Sequence, residues 1–298
     1  MDNRTVLMGL SFVVMWSSAF TSARIAVADA PPFLLLSVRF LLSGLLAIAI
    51  ARALGQRIAL SRSAWISVVL FGICQNTLYL GLNFTAMQTV EASVAVIVAS
   101  ALPLVVAAAR WGLFGERPAR MGMLGLAAGM LGVLVIMSSR LEGGADPFGV
   151  ALCVAGLLSL TVATLVVTGA SSGGNVLMVV GLQMLVGSVT LLPLSAAFEV
   201  WEVNWTLSLI LAFTYTTLIP GLAATLIWFL LVRRIGATRA ASFHFLNPFI
   251  GVAIAALVLS EALTLRDFVG VFVIMLGIWA VQTAGRTDRN LWQKSDDT

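Results

Sequence analysis

Charged side chains are scarce in this sequence: they make up 10% of its 298 residues, whereas 60% of the residues are hydrophobic. A soluble domain of this length needs more surface charge, so the composition excludes an ordinary soluble protein. Histidine occurs once and cysteine twice, and Cys74 and Cys153 both fall within apolar runs. These absences exclude a disulfide framework and a zinc-ligand spacing, and no metal or other cofactor is predicted.

Long apolar runs follow one another along the chain, each close to the ~20 residues that cross a bilayer as a helix. Backbone polar groups in lipid must pair within their own segment, so the runs are predicted to be helices of an all-α membrane protein. Buried helices of a large soluble enzyme are the alternative, but ten such runs in 298 residues argue against it. The predicted spans are Thr5–Ala28, Phe33–Ala51, Ala64–Phe84, Ala92–Ala109, Met121–Ser138, Phe148–Thr168, Val176–Ala197, Leu207–Leu231, Ala240–Leu259 and Val269–Ala284.

Lysine and arginine are distributed unevenly between the two sides of these spans. With the N-terminus inside, 13 of the 17 fall in inner connections and tails, two (Arg140 and Arg266) lie outside, and Arg24 and Arg39 lie within spans. This positive-inside bias predicts a multi-pass protein of the cell (plasma or inner) membrane with both termini cytoplasmic. It also accounts for the basic pI without a nucleic-acid partner. The lipid bilayer and a small-molecule substrate are the predicted partners, and the oligomeric state is left open.

One proline and one glutamate recur in the second half of the chain, both at an offset of 145 residues. The stretch "SALPLVVAAARWGLFGE" contains Pro103 and ends at Glu116, and "FLNPFIGVAIAALVLSE" contains Pro248 and ends at Glu261. Glycines recur at the same offset, and proline and glutamate are both rare here, so the coincidence is informative. The sequence therefore predicts two five-helix repeats and a tail: 1–140, 146–286 and the cytoplasmic segment 287–298.

An odd number of helices per repeat means that the second copy enters the membrane from the opposite side. Inverted repeats of this kind are typical of secondary transporters that bind substrate near the membrane midplane. Pro103 and Pro248 lie within spans and are predicted to kink their helices at a functional bend. A passive packing kink is the alternative for either proline.

The stretch "WSSAFTSARIA" near the start, "RF" in the second span and the repeated Pro-x12-Glu followed by glycines resemble a known group. They are similar to the EamA-type ten-helix members of the drug/metabolite transporter superfamily, over essentially the whole chain. Within that group the likeness is to bacterial exporters of aromatic amino acids. The resemblance implies a basket-like ten-helix fold, a central cavity lined by spans 1, 3, 4, 6, 8 and 9, and export of small metabolites.

Polar side chains within the spans are the candidate substrate ligands, because they are costly in a membrane and tend to mark pathways. Gln75, Tyr79 and Asn83 are spaced i, i+4, i+8 on one helical face. Interhelical hydrogen bonding is the alternative role for the two amides. In the first span Ser17, Thr21 and Arg24 form another polar line, with Trp16 adjacent to it. A hydroxyl can also bond to its own helix.

The eighth and ninth spans carry three further candidates. Trp228 is predicted to stack on an aromatic substrate, with simple packing as the alternative. The only histidine, His244, precedes Asn247 and Pro248 and is predicted to contact substrate or to relay a proton. Pairing with carbonyl groups freed by the proline is the alternative for His244 and Asn247.

Opposite charges gather near the predicted outer ends of the first four spans. Arg24 or Arg39 is predicted to pair with Glu91, and breaking this ion pair would accompany a conformational change. Snorkelling of the arginines to the interface is the alternative. Glu116 and Glu261 are each predicted to cap the last helix of their own repeat, where Thr264 and Asp267 form a possible capping box.

The function predicted is export of small amphiphilic metabolites by alternating access, with amino acids, and aromatic ones above all, as substrates. Cationic drugs and other metabolites are the alternative cargo. A membrane-embedded enzyme is less consistent with one histidine and no deep carboxylate, and the chain is predicted not to be an enzyme. A channel or a scaffold is the remaining alternative, and a saturating flux would distinguish a carrier from a channel.

Overall fold

The structure is a computed structural model that describes residues 2–58, 60–115, 120–142, 144–166, 175–235, 243, 246–277, 279 and 280. These residues form helices and connections, and no strand is found among them. The helices are α1 (Asn3–Ala26), α2 (Pro32–Ala53), α3 (Arg62–Ala86), α4 (Ala92–Phe114), α5 (Arg120–Glu142), α6 (Pro147–Val166), α7 (Val176–Phe198), α8 (from Leu207 to Ile235), α9 (Asn247–Leu259) and α10 (265–277).

Within the described residues, seven helices are long and apolar enough to cross a membrane: α1, α2, α3, α4, α6, α7 and α8. Two shorter apolar helices are Arg120–Ile136, within α5, and α9. Every helix overlaps one of the predicted spans, because unbroken apolar sequence without charge identifies a helix in lipid reliably. Ten membrane crossings remain a prediction.

Three helices are interrupted in ways that the apolar pattern did not predict. The α3 helix widens to π-helical geometry over Gly72–Leu80, α8 does so over Thr217–Ala224, and α4 has a turn at Ala101. A π segment inserts an extra residue per turn without changing which residues are apolar, so hydropathy cannot detect it. In α8 the cause is visible, since Pro220 has no backbone N–H to donate.

The boundaries of the helical segments recur at the same offset as the repeated proline and glutamate. Both N-cap hydroxyls accept from the amide three residues on, and both C-caps adopt left-handed backbone, with φ of 69° at Gly115 and 56° at Ser260. Corresponding pairs are the N-caps Ser61 and Thr206, the first π-helical residues Gly72 and Thr217, the segments Leu102–Phe114 and Asn247–Leu259, and the C-caps Gly115 and Ser260. The chain therefore repeats its local backbone geometry as well as its sequence.

Glycines allow the closest helix contacts. Gly44 of α2 faces Gly181 of α7, and a Cβ on Gly44 would lie 3.0 Å from the Gly181 carbonyl oxygen. On α10, a Cβ on Gly277 would lie 2.6 Å from the Gly125 carbonyl oxygen of α5. The glycines of α5 and α10 therefore allow the two helices to pack closely, because only glycine permits these backbone approaches.

Carboxylates cap helices of the opposite half of the chain. Glu261 accepts hydrogen bonds from the backbone amides of Ala92 (2.8 Å) and Ser93 (3.1 Å), at the start of α4. The prediction that Glu261 caps the helix that follows it is therefore wrong, because the chain reversal brings its carboxylate to α4. The Thr264 and Asp267 capping box does form at α10, and Glu116 lies outside the described residues.

Two more caps follow the same plan. Glu199 accepts from the amides of Phe33 (2.7 Å) and Leu34 (2.9 Å) at the start of α2. The Gln56 side-chain oxygen accepts from the Met178 amide (3.1 Å) at the start of α7. Phe33 and Met178 correspond to each other in the two halves, so corresponding helices begin with the same kind of external cap.

Candidate functional site

Hydroxyl groups connect α1 to α8 and α9. The Ser17 hydroxyl donates to the Asn247 carbonyl oxygen at 3.4 Å and lies 3.5 Å from the Asn247 side-chain oxygen. One residue on, the Ser18 and Tyr215 hydroxyl oxygens are 2.7 Å apart. Two of the predicted substrate ligands, Ser17 and Asn247, are thus brought together although they belong to the first and the ninth helix. Ser17, Ser18 and Asn247 are buried where α1 packs against α8 and α9, whereas the Tyr215 side chain is 37% exposed.

Three aromatic rings pack together beside these hydroxyls. The buried Phe12 ring lies 5.6 Å from the Trp16 ring and is stacked on the Trp228 ring at 4.9 Å, between centroids. The structure therefore places both predicted tryptophans around a phenylalanine that sequence reasoning missed. The i, i+4 spacing of Phe12 and Trp16 on α1 could have identified it. Such a cluster can either stack against an aromatic ligand or close the bundle by packing.

The predicted polar face of α3 divides between two neighbours. Tyr79 and Asn83 are buried, and the Asn83 amide donates to the Tyr79 carbonyl oxygen at 2.8 Å, next to Gly156 of α6. Gln75 is half-buried one turn away. The adjacent Asn76 points elsewhere and donates to the Gln183 carbonyl oxygen of α7 at 2.8 Å. This group lies on the contacts of α3 with α6 and α7, distinct from those of α1.

The two arginines within spans have different surroundings. Arg24 donates to the Met87 carbonyl oxygen. Arg39 is 4% exposed, and its guanidinium carbon lies 5.3 Å from the centre of the Phe40 ring and 5.9 Å from that of Phe84. Glu91 is half-buried at the N-cap of α4. The ion pair between either arginine and Glu91 remains a prediction.

Both prolines occupy the second residue of a helical segment. Pro103 follows Leu102, immediately after the turn at Ala101, and Pro248 follows Asn247 at the start of α9. In the first turn of a helix the missing proline N–H has no intrahelical partner to lose, so the position is favourable. The remaining candidate, His244, lies outside the described residues.

The groups of this site are suited to binding a small molecule. They supply hydroxyls, amides, aromatic faces and one buried guanidinium, which suit polar, aromatic and anionic parts of a small molecule. Among the residues that the structure describes, no group of three or more histidine, cysteine, aspartate or glutamate side chains is arranged to hold a metal ion.

The match to a family model decides the classification. The model of the EamA-like transporter family matches residues 3–138 and again residues 147–283. The chain belongs to the EamA-like transporter family. This membership, in the drug/metabolite transporter superfamily, confirms the resemblance inferred from the sequence motifs.

Curated relatives of this EamA-like transporter are transporters from bacteria and other organisms. It is 26% identical to the transporter YvbV of Bacillus subtilis (strain 168) over 287 residues, covering 96% of this chain and 94% of that protein. It is 25% identical to the inner membrane transporter YedA of Escherichia coli (strain K12), covering 89% and 86%. The E. coli K12 "probable amino-acid metabolite efflux pump" is 25% identical and covers 94% and 95%.

A solved crystal structure supports the fold of this EamA-like transporter. The two chains superpose with a TM-score of 0.69 at 21% sequence identity, over 96% of this chain and all of the other. Together with the family match, this makes the protein a multi-pass membrane transporter whose described residues form an all-helical fold.

Proposed function

We propose that this EamA-like transporter is a secondary carrier that exports small amphiphilic metabolites by alternating access, with amino acids, and aromatic ones above all, as substrates. The observation that carries the proposal is the recurrence of helix caps and π-helical segments at equivalent positions of the two halves. Two halves of the same design, 1–140 and 146–286, can exchange conformations so that one side closes as the other opens. Binding then drives transport by favouring one of the two states.

An inverted arrangement of the halves follows from five helices per half. The helix contacts support it, because α1 packs on α8 and α9 while the corresponding α6 packs on α3 and α4. Ten crossings with cytoplasmic termini, as the arginine distribution predicts, would orient the protein in the cell membrane. A tag accessibility experiment at the α4–α5 and α9–α10 connections tests this topology, and labelling of both from one side would contradict it.

The side chains of the candidate site support an amphiphilic substrate. Hydroxyls and an amide at Ser17 and Asn247 lie beside the ring cluster of Phe12, Trp16 and Trp228. An amino acid with an aromatic side chain offers a charged end to the first group and a ring to the second. The name of the E. coli efflux pump is consistent with this class of cargo.

Flux measurements in proteoliposomes test the proposal. The purified protein should give a saturating efflux of radiolabelled L-phenylalanine or L-tryptophan, measured with and without a pH gradient to define the coupling. Competition by a panel of amino acids, cationic dyes and sugars then ranks the substrate classes. Competition by dyes alone would reject amino acids and favour the drug-export alternative, while flux that never saturates would indicate a channel.

A matched pair of tryptophan variants tests the site. Trp228→Leu should lower the apparent affinity for aromatic amino acids by about fivefold, since a stacked pair of aromatic rings contributes about 1 kcal/mol beyond the area that it buries. Trp65→Leu removes an exposed tryptophan of α3 and serves as the control. Equal effects of the two substitutions would remove Trp228 from the proposed binding site.

A further inference from the structure

Three buried side-chain atoms lack a hydrogen-bond partner among the described residues: Thr21 Oγ1, Arg39 Nε and Asn83 Oδ1. They belong to α1, α2 and α3, each within about two turns of the helix end on the side of the α1–α2 connection. Arg39 differs from the other two because its guanidinium is permanently charged. A buried cation without a hydrogen-bonded counterion is costly, so this side chain requires an explanation.

The neighbours of Arg39 supply aromatic faces and empty space. Phe40 and Phe84 stabilise the cation through their rings, at 5.3 and 5.9 Å from the guanidinium carbon. On α8, the missing side chain of Gly221 leaves room: a Cβ there would lie 3.3 Å from Arg39 Nη2. The described part of the chain provides no hydrogen-bond partner for Arg39 Nε.

The corresponding position of the second half contains no charge. At the repeat offset, Arg39 corresponds to Met184, which is also 4% exposed and lies on α7, the helix that packs against the π-helical segment of α3. The fold therefore accepts an apolar side chain at this place. Packing alone does not account for the arginine, because the same scaffold position is filled by a thioether in the other half.

We propose that Arg39 is an anion-binding residue that receives the carboxylate of the transported molecule. The inference rests on the proposed function and deepens it, by assigning the substrate class as small carboxylates. A planar guanidinium binds a carboxylate through two parallel hydrogen bonds, and Nε is one of the donors that this geometry uses. The single charge of a carboxylate would neutralise the single charge of Arg39.

An open cavity of about 500 Å³ lies at the α1–α2 connection. Its lining includes Phe33, which precedes Arg39 on α2, and Thr85, which follows Phe84 on α3. The cavity therefore reaches the same two helices that hold the guanidinium and its aromatic neighbour. A substrate entering or leaving on this side would meet Arg39 after a shift of the side chains between them.

Ligand-dependent thermal stability of the purified full chain in detergent tests the proposal. The probes are L-phenylalanine, 3-phenylpropionate, which lacks the ammonium group, and phenethylamine, which lacks the carboxylate. The two carboxylates should raise the Tm of the wild-type protein, and phenethylamine should not. Sodium chloride and sodium phosphate, compared with sodium gluconate, determine whether an inorganic anion occupies the same place.

Three variants define the expected result. Arg39→Met copies the second half and should weaken carboxylate binding roughly 10- to 100-fold, the usual effect of losing a hydrogen bond to a charged group. Arg39→Lys keeps the charge but lacks the planar pair of donors, so its affinity for carboxylates should lie between those of wild type and Arg39→Met. Arg52→Met removes an exposed arginine of the same helix and should behave as wild type. Without ligand, Arg39→Met should be at least as stable as wild type, because it removes an uncompensated charge.

Several outcomes would overturn the proposal. Equal protection of wild type and Arg39→Met by the carboxylates would do so, as would tighter Arg39-dependent binding of chloride or phosphate. Arg39→Met could also prove less stable than wild type in the absence of ligand. If adding Glu91→Gln then caused no further loss of stability, the two residues would form an internal ion pair instead. The two proposals fail separately: Arg39-dependent carboxylate binding without any amino-acid flux rejects only the proposed function, and unchanged phenylalanine flux in Arg39→Met rejects only the anion site.

Discussion

Position 76 in the first half and position 221 in the second half correspond to each other, yet they solve the same packing problem differently. Asn76 fills its place with an amide that donates to the Gln183 carbonyl oxygen of α7. At the other place Gly221 has no side chain, and the guanidinium of Arg39 from α2 occupies the neighbouring space. The Asn76 amide has its partner within the protein, whereas Arg39 Nε has no hydrogen-bond partner among the described residues.

This difference separates a structural polar contact from a candidate binding contact. A satisfied amide between two helices stabilises their packing and specifies their register. An unsatisfied buried donor is costly in the protein alone and gains its partner from a ligand. Two halves of one chain thus provide an internal control: what the repeats share is scaffold, and where they differ is where function is to be sought.

The two π-helical segments also differ in sequence between the halves. In α8 the segment contains Pro220, whose missing N–H breaks the regular hydrogen-bond ladder. In α3 the segment contains no proline; instead Gly72 lies against α7, where a Cβ would come within 2.8 Å of the Gln183 carbonyl oxygen. The same backbone geometry therefore occurs with a proline in one half and without one in the other.

The largest expected effect comes from adding a side chain at the helix contact around Asn76, whose amide already has its partner. Gly187→Val should destabilise the protein by about 3 kcal/mol, because even a Cβ at Gly187 would lie 2.5 Å from the Asn76 Cβ and 3.2 Å from the Phe40 ring. The measurement is the Tm and the monodisperse fraction after detergent extraction. Gly112→Val is the control, since a Cβ there meets nothing within 4 Å. Equal Tm values for the two variants would contradict the tight contact described at Asn76.

An intermediate effect is expected from exchanging the two left-handed C-caps. Ser260→Gly should stabilise the protein by about 1 kcal/mol and Gly115→Ser should destabilise it by about as much, because glycine adopts a positive φ without a Cβ clash. Thermal melts of both variants and of the double exchange give the two values. Shifts of the same sign in both single variants would show that the two C-caps are not equivalent.

The smallest expected effect is a pH dependence at the start of α6. The Thr89 hydroxyl, with the backbone amides of Gly149 and Phe148, holds the pKa of Asp146 below its usual value of 3.8. A carboxyl with a lowered pKa contributes stability above its unfolded pKa and loses it as pH falls through the folded value. Stability should therefore fall slightly below about pH 4, and less so in Asp146→Asn.

A control is needed for that measurement because Asp2, before α1, also has a lowered pKa, through the Thr5 hydroxyl and Arg234. Melting curves from acidic to near-neutral pH should be compared in the wild type, Asp146→Asn and Asp2→Asn. If the curve of Asp146→Asn parallels that of the wild type over the whole range, Asp146 contributes no measurable linkage.

Much of the molecule follows from sequence pattern because lipid permits so few structures. Unbroken apolar runs identified the helices α1 to α10 to within a few residues at most described ends, and the repeated proline, glutamate and glycines indicated the offset between the halves. The family assignment followed from the same motifs. These features are local or periodic, so a linear reading can detect them.

The candidate site could be predicted only in part. The sequence singled out Ser17 and Asn247, but their contact depends on how α1 crosses α9. The sequence predicted that Glu261 caps the next helix along the chain. The folded bundle instead brings its carboxylate to α4. A residue without a side chain, such as Gly221, carries no signal until its neighbours are known.

The sequence by itself determined that this is a helical membrane protein of repeated design, since scarcity of charge and apolar run length leave no other way to satisfy the backbone. Tertiary structure alone decided which polar groups are paired. Asn76 and Arg39 are both polar residues in apolar helices, and only the positions of α7 and α8 distinguish a side chain with a partner from one without. Hydrogen bonding is short-ranged and directional, so it depends on a geometry that sequence spacing does not contain.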